Sequence, residues 1–95
     1  MVLEVALIDV KPGSEAAFTA AYGKAKAVIG DAAGVRAIRM TQGIETPTRF
    51  VLLVEWDSVA DHEVFRAGDG FTQWRALIGP HFAAPPHVEH FADVD

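Results

Sequence analysis

The chain has 95 residues, 51% of them hydrophobic and 22% charged, with 13 acidic against 8 basic side chains and a net charge of −5. That is the composition of one folded domain rather than a disordered segment, and no apolar run approaches the ~20 residues of a membrane span. The basic residues are scattered, only Lys24 and Lys26 lying close together, so no stripe tracks a phosphate backbone and neither nucleic acid nor an anionic membrane is expected as a partner.

Residues 2–10 are nearly continuous in apolar and β-branched side chains and stop at Lys11-Pro12-Gly13, which reads as a strand buried on both faces. Glu4 interrupts this run, and no basic residue precedes it, so the segment is not read as a signal peptide and a cytoplasmic location is expected. Ser14 is placed to cap a helix, with Glu15 in the first turn where the dipole favours an acid. Phe18, Tyr22, Ala25 and Ile29 then form one helical face, ending at Gly30. Gly23 inside this helix costs about 1 kcal/mol against Ala, for which a close helix–sheet approach is the expected reason. Residues 35–42 form a more polar, edge-type strand, and Gly43–Thr48 turns the chain. Residues 49–56 are a second strongly apolar strand. Asp57-Ser58 starts a short helix to about Arg66, Ala67–Gly70 breaks it, and a further helical stretch runs from Phe71 to Ile78. Pro85-Pro86 introduces a last strand from His87 to about Val94.

The order βαββαβ predicts an α+β, ferredoxin-like sandwich occupying residues 1–95 as a single domain. Its two apolar strands carry hydrophobic side chains on both faces, whereas helices cover only one face of such a sheet. The other face would be a large exposed apolar patch, and two sheets meeting face to face would bury it, so a homodimer is expected.

Absence of cysteine removes thiolate nucleophiles, disulfides and cysteine-bound metal centres together. His62 shares a helical face with Val59 and Phe65. It is either a base for a phenolic hydroxyl or a histidine satisfied within the core. Trp74 either packs as core with Phe71 and Ile78 or walls an aromatic pocket. Arg66 and Arg75 either pair with surface acids or polarise a ligand oxygen. His87 and His90 lie on opposite faces of a strand, His90 sharing its face with Val88, and His81 falls in a loop. Four histidines in this spacing make no metal site. Of Arg36 and Arg39, one is expected to face inward, with Glu4 or Glu55 as its acid.

The sequence Trp56-Asp57-Ser58-x-x-x-His62-x-x-Phe65-Arg66, followed by Phe71-x-x-Trp74-Arg75-Ala76-Leu77-Ile78 and His81-Phe82-x-x-Pro85-Pro86-x-Val88-x-His90-Phe91, resembles the antibiotic biosynthesis monooxygenase (ABM) domain family of the dimeric α+β-barrel superfamily. The Lys11-Pro12-Gly13 opening of the first helix adds to the likeness. The resemblance implies a barrel shared across a dimer, with a pocket between sheet and helices in each subunit. It also implies a cofactor-independent, metal-free oxidation of a small hydroquinone- or anthrone-like aromatic by dioxygen. In that reading His62 is the catalytic base, Phe65 and Trp74 hold the ring, and His90 is a second polar contact. Two features depart from the family: many members carry a histidine near the position of Phe65 and a His-Phe pair in place of Gly70-Phe71. The Asn and Trp/His pair of the haem-degrading members are missing, which disfavours haem cleavage. A non-catalytic binding or stress-response protein, or an isomerase or lyase of the same superfamily, is the alternative.

Overall fold

The computed structural model describes residues 1–95. It contains β1 (Val2–Asp9), α1 (Glu15–Gly30), β2 (Val35–Gln42), β3 (Arg49–Trp56), α2 (Val59–Arg66), α3 (Asp69–Ile78) and β4 (His87–Phe91), with a 3-10 turn at Gly79–His81. The four strands form one antiparallel sheet in the order β2-β3-β1-β4, which is the ferredoxin-like arrangement. No helix is long and apolar enough to cross a membrane.

Boundaries differ from the sequence reading by a few residues, for local reasons. Val10 leaves the ladder of β1 and makes an isolated bridge to Phe82. Asp69 and Gly70, expected in a break, already belong to α3, so the break shrinks to Ala67-Gly68. The last strand ends at Phe91 instead of Val94, its final pairing being with Leu3 near the start of β1. Ser58 caps α2 by accepting a hydrogen bond from the Asp61 amide at 3.2 Å. Ser14 heads α1 but makes no side-chain cap, because its backbone is not in the extended conformation that aims a hydroxyl at the first turn.

Strand alternation divides the sheet into two unlike faces. Toward the helices point Glu4, Ala6 and Ile8 of β1 and Phe50, Leu52, Val54 and Trp56 of β3, all buried. Against them α1 lays Phe18, Ala25 and Ile29, while α3 contributes Trp74 and Ile78. Phe18 and Phe50 meet with ring centroids 4.7 Å apart, and the edge of Tyr22 meets Trp74 at 6.1 Å, which locks α1 to α3. Each such large apolar side chain contributes about 1.5–3 kcal/mol by leaving water. The opposite face carries Leu3, Val5, Val51 and Leu53 half-buried and Leu7 and Phe91 exposed at 44% and 47%. No helix packs there.

Two expectations are corrected. Gly23 has open space where a Cβ would stand, so no close helix–sheet approach accounts for it. Gly34, in contrast, is a position the geometry reserves for glycine: its φ is +88°, and a Cβ would lie 2.6 Å from Asp61 in α2. That contact lets β2 begin directly beside the start of α2. Arg36 and Arg39 both remain exposed, because an irregularity between Val35 and Ala37 turns Arg36 out to pair with Asp57. Neither arginine reaches Glu4, which has other partners.

Candidate functional site

Glu4 is a carboxylate in the middle of an apolar strand, 5% exposed, on the helix-covered face. The β1–β4 register sets His90 directly across from it, and the β1–β3 register brings Trp56 near on the other side. Helix α2 then lowers His62, 4% exposed, onto this trio. The Trp56 indole N–H donates to Glu4 Oε1 at 2.9 Å. The same oxygen lies 3.3 Å from His62 Nε2, and His62 Nδ1 lies 2.7 Å from His90 Nε2. The His62 ring stacks on Trp56 at 4.8 Å with the planes 18° apart. A buried carboxylate is expensive unless its lone pairs are used, and here the indole N–H donates to it while the imidazole stands beside the same oxygen.

The His62–His90 hydrogen bond runs in either direction according to tautomer: the His90 Nε2–H donates to His62 Nδ1, or the His62 Nδ1–H donates to His90 Nε2. His62 Nε2 stands beside Glu4 at ion-pair distance without being hydrogen-bonded to it. Burial raises the Glu4 carboxyl above its ordinary value, against the lowering effects of the Trp56 hydrogen bond and the Arg66 charge. Burial also pushes His62 down to about 4, with His90 and then Arg66 adding to the effect.

One wall of this chain faces a cavity of about 190 Å³ between the sheet and helices α2 and α3. Glu4, Ala6, Ile8, Leu52 and Val88 form its sheet side; His62, Arg66, Phe71, Trp74, Arg75 and Ile78 form its helix side; and Phe82, Pro85 and Pro86 close one end. His62 and Trp74, two of the residues singled out in the sequence, therefore stand on the cavity wall. Phe65 and His90 do not. Phe65 lies behind, against Trp56 and Phe71 at 5.8 and 6.1 Å, and its ring fills the space a Cβ on Gly70 would need. His90 touches the site through His62. Val59 does not share the inward face of α2 and is exposed.

Glu4, expected only as the partner of an arginine on β2, reaches the site, and so do Arg66 and Arg75, for which the sequence left a surface ion pair and a ligand contact both open. An acid among alternating apolar residues was the available signal for Glu4. For the two arginines there was only their place beside His62 and Trp74.

The sequence pattern of the family described as Antibiotic biosynthesis monooxygenase matches residues 1–77, and the chain belongs to that family. It is 35% identical over 95 residues to the uncharacterised protein YczJ of Bacillus subtilis (strain 168), covering 99% of this chain and all of the relative. A crystal structure from Bordetella bronchiseptica, assigned to the antibiotic biosynthesis monooxygenases, superposes with a TM-score of 0.94 at 39% identity, over 98% of this chain and 96% of the other. SnoaB of Streptomyces nogalater, a cofactor-independent oxygenase, shares the fold with a TM-score of 0.84 at 15% identity, over 99% of this chain and 93% of that one.

The His62 shift has a consequence for stability. Between pH 6.5 and about 4 the unfolded chain binds a proton at His62 that the folded chain refuses, so stability falls as pH falls through this window. The loss reaches up to about 3 kcal/mol. Glu4 acts in the opposite sense: its contribution is complete below its ordinary 4.5 and is lost as pH rises through its raised folded value. Urea unfolding at pH 7 and pH 4.5 is expected to show a smaller acid loss in His62→Gln than in the wild type. Equal losses would contradict the assignment.

Proposed function

We propose that the chain is a cofactor-independent monooxygenase that oxidises a small hydroquinone- or anthrone-like aromatic with dioxygen. The observation that carries this reading is the Glu4–His62–His90 row opening onto an aromatic-walled cavity. An electron-rich aromatic needs only to lose a proton and be shielded from water before it reacts with dioxygen. In the proposed reaction the Glu4–His62 pair takes a hydroxyl or ring C–H proton, and His90 carries it outward. The resulting anion gives one electron to dioxygen; the radical pair joins in a C–O bond, and the peroxide loses water to leave a quinone carbonyl. One oxygen atom ends in the product and one in water, and the substrate supplies all the electrons. Trp74 and Phe71 hold the ring, while Phe65 supports both Trp56 and Phe71 from behind. Membership of the family and the fold shared with SnoaB support the reaction class.

Both His62 nitrogens are already engaged by Glu4 and His90, which also favours a second reading, a binding protein that uses the cavity without turnover. Oxygen uptake over a panel of hydroquinones, anthrones and simple phenols separates the two. The oxygenase reading predicts uptake that falls by about 100-fold or more in His62→Ala and in Glu4→Gln, in the range usual for lost acid–base groups. Saturable binding with no uptake anywhere in the panel would favour the binding protein.

The open sheet face is proposed to meet the same face of a second copy. Leu3, Val5, Leu7, Val51, Leu53 and Phe91 would then form the inner layer between two sheets about 10 Å apart. Arg39, Glu55 and Glu89 lie among or beside them and would form the rim. Light scattering is expected to give twice the chain mass for the wild type and a monomer for Leu53→Arg. A monomeric wild type at micromolar concentration would overturn the pairing.

A further inference from the structure

The chain carries five arginines, and pairing and position sort them: Arg39 is unpaired but lies on the open sheet face, away from the cavity. Arg36 pairs with Asp57 and Arg49 with Asp9 at the surface. Arg66, in the last turn of α2, and Arg75, in α3, form no ion pair or side-chain hydrogen bond with the chain, and both line the cavity. The guanidinium carbon of Arg75 stands 5.7 Å from the centroid of Phe71 and 5.6 Å from that of Phe82, two rings that also line the cavity. Contacts of this kind hold the guanidinium plane while leaving its N–H edge for an acceptor. Glu4 is the one acid in the lining, and its Oε1 is already engaged by Trp56 and His62. Two arginines against one carboxylate, with His62 neutral, give the cavity a net positive charge inside a chain whose net charge is −5. The site is therefore built for an anion.

Its size limits that anion. A cavity of about 150 Å³ accommodates benzene, whereas drug-sized ligands occupy about 300 Å³ or more. At about 190 Å³ the cavity takes one substituted ring, and a fused tricycle would have to extend out of it. We propose that the ligand is a single-ring aromatic carboxylate bearing ring hydroxyls, its ring against Trp74 and Phe71 and its carboxylate held by Arg66 and Arg75. This narrows the oxygenase substrate and rests on the reading of the cavity as the substrate site, but not on turnover. A guanidinium meets a carboxylate through two parallel N–H donors, whereas an amide of the same shape offers one neutral acceptor. Discrimination by charge follows.

The test is an anaerobic titration with 2,5-dihydroxybenzoate and with its near-isosteric neutral amide, followed by fluorescence of the two tryptophans, Trp56 and Trp74, both at the site. The acid is expected to bind about tenfold or more tightly than the amide, in keeping with a charge-assisted bidentate contact. Arg66→Gln and Arg75→Gln each reduce the preference, and the double variant abolishes it while amide affinity stays within about twofold of wild type. Both arginines are exposed, so these variants keep the fold, and Arg39→Gln on the other sheet face serves as the control that leaves the preference intact. Equal affinity for acid and amide in the wild type, a preference that survives the double variant, or no saturable binding of either compound overturns the proposal. Without oxygen in the cell, a failure of oxidation leaves this result standing, so the two readings fail separately.

Discussion

The structure turns on a carboxylate buried in the centre of an apolar strand. Glu4 occupies a position where Val, Ile or Leu would add to the core, and desolvating a charge there costs several kcal/mol unless it is neutralised or fully bonded. The indole of Trp56 donates a hydrogen bond, the imidazole of His62 stands against the same oxygen, and His90 is hydrogen-bonded to that imidazole in turn. Each of these three comes from a different element, β3, α2 and β4, so the polar row exists only in the finished fold. Removing any one member strands the others: without His62, a buried acid and a second histidine lose their common partner. Such an arrangement is hard to explain as packing alone, since a set of apolar side chains in the same volume would do as well or better.

The same row explains the local architecture of the helix side. Trp56 must reach Glu4, which puts its ring flat under His62, and Phe65 then closes the far side of the indole. Phe65 in turn requires a residue without a Cβ at the start of α3, and Gly70 is that residue. Helix α3 consequently begins close to the end of α2 and carries Phe71, Trp74 and Arg75 over the sheet. The cavity is the space left between these side chains and the short residues Ala6 and Val88 of the sheet. Chemistry and shape thus share one cause, the way α2 and α3 are fitted around an internal acid.

The sequence was informative where periodicity governs. Element order, the helix face of Phe18, Tyr22, Ala25 and Ile29, and the double-sided apolar character of β1 and β3 all follow from side-chain alternation. His62 and Trp74 stood out because they lie at helical spacing beside aromatic neighbours. The partner of Glu4 could not be read, because it depends on strand register: the pairing of Glu4 with His90 joins residues 86 positions apart in the chain. A sequence offers two nearby arginines on β2 as equally sensible partners, and only the irregularity at Arg36 removes one of them. Phe65 and His90 were grouped with the pocket mainly by the family resemblance, yet neither lines it, since a residue's face fixes which side it is on but not how deep it lies. The orientation of Arg66 and Arg75 toward the cavity depends likewise on the angle between two short helices, which no local pattern encodes.

The central claim is that His62 is held neutral between an acid and a second imidazole at the cavity wall. Nitrogen-detected NMR of the histidine side chains across pH 3–8 tests it directly. His62 is expected to titrate near pH 4, well below the ordinary imidazole value, and its ring-nitrogen shifts are expected to change when Glu4→Gln alters the row. A His62 that titrates near 6.5 and is indifferent to Glu4→Gln would contradict it.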